Sequence, residues 1–179
     1  MTFKETAHDI DVSPETDSYE TKVDLDSTNT LHELLALAIG DFAQVIANPR
    51  YSINLNTWHE PLDNGKCSVC LAGSVMAMHL GTDPAAYSTP KLSYWTPSPG
   101  EPREDALARR LMALNSLRQG AIGAAQSLLG RDTWHPHVET LSRKWHHKVR
   151  CSNARTRLQA RLLLADLKLL QRDLAEAGL

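Results

Sequence analysis

Cys67 to Leu80 reads CSVCLAGSVMAMHL and is closed by Gly81. The stretch is apolar nearly all round and rich in small residues, the pattern of a helix buried on every side. Ala72, Gly73, Ser74 and Ala77 would let neighbouring elements approach it closely. Its length falls well short of the roughly 18–20 residues that cross a bilayer. It therefore predicts the central helix of a helical domain, with Cys67, Cys70 and Ser74 on one face.

On its N-terminal side, Asp63-Asn64-Gly65 marks a turn. Tyr51-Ser52-Ile53-Asn54-Leu55-Asn56 alternates apolar and polar residues, as a short strand would. The partner it suggests is Leu92-Ser93-Tyr94-Trp95, so any sheet is a minimal two-stranded ribbon. Further back, Thr30-Leu31-His32-Glu33 is a capping box, in which hydroxyl and carboxylate each satisfy a backbone N–H. Leu31, Leu34, Leu35, Ala38, Phe42, Val45 and Ile46 then form one broad apolar face. Pro49 ends this helix, because proline disfavours α geometry in the residue before it.

On the C-terminal side, Pro84, Pro90, Pro97 and Pro99 make residues 82–100 a loop. Pro102, Glu104 and Asp105 suit the first turn of a helix with a Leu107, Leu111 and Leu114 stripe, ended by Gly120. A short apolar helix follows over Ala121 to Leu129. Trp134, Val138, Leu141, Trp145 and Val149 fall on one face of another. Ser152 or Asn153 is expected to cap a last helix running to Ala177. Its seam is Leu163, Leu167, Leu170 and Leu174, widened by Leu158, Leu162 and Leu169. The expectation is all-α: a compact bundle of about five or six helices, one domain over residues 28–179.

The composition agrees with this. The chain has 179 residues, 42% hydrophobic and only 6% aromatic, and leucine and alanine favour helices. Residues 1–27 read as a flexible acidic tail, whose isolated apolar positions (Ile10, Val12, Tyr19, Val23, Leu25) bury too little to order it. No apolar run resembles a signal peptide or a membrane span. Three cysteines are too few for a disulfide framework, and a reducing cytoplasm is the expected compartment.

The net charge of −2 conceals an asymmetry. Asp and Glu dominate the first thirty residues. Thr140 to Ala165 contains none, and carries Arg143, Lys144, Lys148, Arg150, Arg155, Arg157 and Arg161. Such a stretch can contact phosphates, with Arg143, Lys144, Lys148 and Arg155 as candidate binding residues. No nucleic-acid motif accompanies it, and a solvated basic face neutralised by the acidic tail ranks ahead of a nucleic-acid site.

Trp58-His59 followed by Cys67-Ser68-Val69-Cys70 is the most distinctive local feature. Tyr51-x-Ile53-x-Leu55-x-x-Trp58-His59, with Cys67-x-Val69-Cys70-Leu71-Ala72-Gly73, resembles a segment in small proteins of bacteriophage and bacterial genomes with no assigned activity. The resemblance covers residues 51–77. It implies a phage or mobile-element context and nothing about chemistry.

Four readings of the cysteines compete. Buried structural thiols rank first, since free cysteine behaves as a small hydrophobe. Zinc comes second: Cys67 and Cys70 supply two thiolates and His59 a third ligand, where a structural site needs four. His79 lies on the opposite helix face from Cys70. A redox pair lacks its βαβ context, and a Cys67 nucleophile with His59 as base lacks an orienting third group. His135, His137, His146 and His147 do not converge either.

No complete catalytic constellation is legible. The leading expectation is a non-enzymatic interaction protein of a phage or mobile element that binds a host or phage protein, with no cofactor and no membrane contact. Trp58, His59, Cys67 and Cys70 are candidate binding residues, and the C-terminal helix is a candidate for self-association. The alternatives are a zinc- or thiol-dependent enzyme on the Trp-His/Cys-x-x-Cys segment and a nucleic-acid binder on the basic stretch.

Overall fold

In a computed structural model, residues 24–82, 100–131, 134–146 and 156–179 are described. Helices α1 (Leu31–Ala47), α2 (Leu71–Met78), α3 (Arg103–Arg118), α4 (Ile122–Leu128), α5 (Pro136–Trp145) and α6 (Arg157–Glu176) dominate these segments. Strands β1 (Tyr51–Ile53), β2 (His59–Pro61) and β3 (Cys67–Val69) form a mixed sheet in the order β1-β3-β2. The all-α expectation is therefore corrected: the helices stand beside a three-stranded sheet.

The middle strand lies in the stretch whose composition is most helix-like. Cys67, Ser68 and Val69 are not the first turn of the central helix. They form the middle strand, parallel to β1 with Ser52 opposite Ser68, and antiparallel to β2 with His59 opposite Val69. Asp63-Asn64-Gly65 is the hairpin turn that returns β2 into β3. Leu62 N–H donates to the Lys66 carbonyl at 2.7 Å, and Gly65 sits at φ 71°. With a ladder on both sides, these residues satisfy more backbone groups as strand than as a helix end, and β-branched Val69 suits it. The helix begins only at Leu71, where the Cys70 sulfur caps the Gly73 N–H at 3.3 Å. Cys67 and Cys70 thus share no helix face. The partner of Tyr51–Ile53 is β3; Leu92–Trp95 lie outside the described residues.

Local signals place the other ends. Thr30 and Glu33 close the expected capping box of α1. Thr156 and Gln159 close a second one at the start of α6, which overturns Ser152 or Asn153 as the cap. Both of those lie outside the described residues. Pro102 stands at the N-cap of α3, and Gly120, at φ 72°, follows its end. Val138, Leu141 and Trp145 are buried on α5 as expected. Trp134 precedes that helix and is 92% exposed, so it is not part of its buried face; Val149 lies outside the described residues.

The core is continuous. α1 packs between α6 and α2, with Leu34, Leu35, Phe42 and Val45 fully buried, and α3 closes it against α2 and α4. The segment read as a tail joins this core at its end. Leu25–Ser27 make one 3-10 turn and Leu25 is 1% exposed. Asp26 pairs with Arg103 at 2.6 Å, and Arg110 donates to the carbonyls of Asp26 and Thr28. Leu25 is therefore not an isolated apolar position; residues 1–23 lie outside the described residues.

Candidate functional site

The Trp58-His59 and Cys67–Cys70 segment is built into the interior. Strand β2 carries His59 inward, where it is buried. Its Nδ1 lies 3.0 Å from Thr82 Oγ1, and that hydroxyl donates its only hydrogen to the Met76 carbonyl at 3.0 Å. His59 Nδ1 must then be the donor to Thr82, which fixes where one ring proton sits. The Tyr51 ring leans over the imidazole, centroids 6.4 Å apart. Burial pushes the Tyr51 hydroxyl pKa up, and the neighbouring Cys67 adds to this.

Cys70 is buried at the N-cap of α2. Burial pushes its thiol pKa up, outweighing the Gly73 amide and the positive charge of Arg118. A raised pKa keeps the thiol protonated at neutral pH, and the thiolate is the reactive and metal-binding form. Arg118 is held by Asn115 Oδ1 at 3.2 and 2.9 Å. Across the sheet Cys67 faces Pro61 and Tyr51, while His59 faces Val69. The segment thus offers a packed sheet-to-helix junction, with Trp58 lying against the core and its backbone touching α2. Among the described residues no group of three or more His, Cys, Asp or Glu is placed to hold a metal ion.

Among the described residues, Arg143, Lys144 and Arg157 of the basic stretch do not share one face. Arg143 pairs with Glu139 at 2.7 Å on the surface of α5. Lys144 pairs with Asp173 of α6 at 2.6 Å, and Trp145 Nε1 donates to the same Asp173 oxygen at 2.7 Å. Arg157 turns to backbone carbonyls, donating to Ile46, to Asn48 at 2.9 Å and to Tyr51 at 3.2 Å. It ties the start of α6 to the end of α1. Lys148, Arg150 and Arg155 lie outside the described residues.

Asp173 joins α5 to α6. Partial burial raises its pKa, but the Lys144 and Trp145 hydrogen bonds and the charges of Lys144 and Arg172 together hold it below the usual aspartate value. A lowered folded pKa adds stability that is complete above the unfolded value of about 3.9 and is lost as pH falls through the folded one. Asp173→Ala should cost about 1–3 kcal/mol at pH 7, since it strands the Trp145 N–H and leaves Lys144 unpaired. In denaturant melts between pH 6 and 2.5, the variant should lose stability with acid less steeply than the parent. Parallel slopes would contradict the assignment.

The outer face of α6 departs from the expectation for that helix. Leu163, Leu167, Leu170 and Leu174 are fully buried, as the seam should be. Leu158, Leu162 and Leu169 do not widen that seam: they are 68%, 56% and 46% exposed. At about 100° per residue, they lie roughly 140° around the helix from the seam's centre. That separation is readable from the numbering alone. Ala165, also exposed, fills the gap, so Leu158, Leu162, Ala165 and Leu169 form one row. A second exposed apolar feature sits at the start of α5, where Trp134 and Pro136 line an open groove of about 400 Å³ with His135, Glu139 and the buried Val138.

Fold and surface together define a mainly helical domain with a small mixed sheet and an apolar row on its last helix. No protein-family model, curated protein or solved structure matches this chain.

Proposed function

We propose that this chain is a non-enzymatic interaction protein that acts by binding protein through the outer face of α6. The observation that supports it is the solvent-facing row Leu158, Leu162, Ala165 and Leu169. Single exposed leucines are ordinary, but four aligned apolar positions opposite a buried seam are the pattern of a helix that seats against a partner. The Trp134 groove adds a second apolar contact area on the same domain. The packed environment of Cys70 and His59 fits a structural role for that segment better than a thiol-based reaction. The resemblance of residues 51–77 to phage-encoded proteins makes an accessory or host-interaction factor of a phage or mobile element the fitting context.

The test uses Leu158→Gln, Leu162→Gln and Leu169→Gln together. Because the three leucines face solvent, the variant should melt within a few degrees of the parent. Used as bait in host lysate, beside a differently tagged copy of the chain, the parent should retain a protein that the variant loses. Equal capture by both, or capture of nothing, refutes the reading.

A further inference from the structure

We infer that the partner of the α6 row is a second copy of this chain, docked with its α6 parallel to the first. The inference rests on the interaction reading above and names the occupant of that surface. Leu158, Leu162, Ala165 and Leu169 are spaced four, three and four residues apart, which is the a/d spacing of a two-stranded coiled coil. Leu162 and Leu169 take a positions, and Leu158 and Ala165 take d positions. The seam that holds α6 to its own domain points away from this row, so the described helices packed on that seam lie on the outer sides of the pair.

Charge selects the copy and its direction. The positions flanking the row are Arg161 and Lys168 on one side and Asp166 and Asp173 on the other. In a parallel pair, each g residue meets the e residue five positions later on the other helix. Arg161 then faces Asp166 of the second copy, and Lys168 faces its Asp173, in both symmetry-related directions. An antiparallel pair would set base against base and acid against acid. Arg161 and Asp166 are in no ion pair among the described residues, so both are available for this contact. Asp173 is already held by Lys144 and Trp145, which makes Arg161–Asp166 the pair that decides orientation.

The row is also bounded. The next a/d positions, Arg172 and Glu176, are polar and pair with each other at 3.8 Å along the helix. The contact therefore runs from Leu158 to Leu169, about 18 Å of helix. An interface this short lies at the small end of specific contacts, so the dimer should be weak and reversible.

Sedimentation equilibrium of the full chain, from a few to several hundred micromolar, tests this directly. A monomer–dimer equilibrium is expected, lost in Leu162→Gln with Leu169→Gln. Arg161→Glu should weaken dimerisation about tenfold, and adding Asp166→Lys should restore it, with a smaller effect at high salt. Strengthening by Arg161→Glu alone would overturn the parallel arrangement, because an antiparallel pair gains from it. A chain that stays monomeric throughout overturns the inference. The interaction reading then still stands if the leucine variants lose a captured protein. It falls as well if they lose nothing. Dimerisation that appears only after residues 1–23 are removed would assign the row to that acidic segment instead, and would likewise overturn the inference.

Discussion

Gly73→Ala is expected to cost more than about 3 kcal/mol and to lower the Tm by roughly 6–12 °C, if the protein folds at all. Gly73 lies in the first turn of α2, and the backbone of Trp58 runs directly against it. A methyl group at this position would overlap the Trp58 carbonyl. That carbonyl also accepts the Cys70 N–H at 3.3 Å, so it cannot retreat without breaking the junction between strand and helix. The obstacle is backbone rather than a side chain that can rotate away, which is why the cost should exceed ordinary overpacking. Gly40→Ala is the control. Gly40 lies inside α1 with open space around it, and alanine there should be neutral or stabilising by up to about 1 kcal/mol. Urea unfolding followed by helical circular dichroism measures both. A Gly73→Ala variant as stable as the parent would mean that Trp58 does not cross α2 at this point.

The second large loss should come from Gly120→Ala, at about 3 kcal/mol in the same assay. Two effects add. Gly120 has φ 72°, where a Cβ costs about 1–2 kcal/mol. The added Cβ would also lie 2.7 Å from the carbonyl carbon and oxygen of Trp145, and 2.8 Å from the His146 nitrogen. The end of α5 thus rests on the turn between α3 and α4, and Trp145 is buried there. Gly65→Ala separates the two effects. Gly65 has φ 71° in the hairpin turn but nothing within 4 Å, so it should show the backbone strain alone. If Gly120→Ala costs no more than Gly65→Ala, α5 does not seat on that turn.

These contacts bear on function through α6. Asp173 on α6 holds Trp145 and Lys144 of α5, and Arg157 anchors the helix start to the carbonyls at the end of α1. The helix is thus fixed at both ends and along its inner seam, and its outer row is held in place without help from a partner. A pre-ordered helix loses little conformational entropy when it docks, which lets a short row of leucines support association.

Features that depend on neighbours within a few residues are legible in the chain. Thr30 and Glu33 set the start of α1, Pro102 and the acids after it set α3, and Gly120 sets its end. Asp63-Asn64-Gly65 marked its turn for the same reason, because these preferences act through the local backbone. Gly73 was readable as a site of close approach, although not what approaches it. Other features depend on contacts between distant segments. Cys67-Ser68-Val69 is strand because β1 and β2 arrive on either side to pair with it, and no periodicity in an apolar stretch this short distinguishes that from a helix end. Leu25 is core because α3 brings Arg103 and Arg110 to hold the residue beside it. The two apolar rows of α6 share the same four-three-four spacing, and packing against α1 covers one and leaves the other to solvent. Burial depends on what the rest of the chain places opposite a side chain, and that is not written beside it in the sequence.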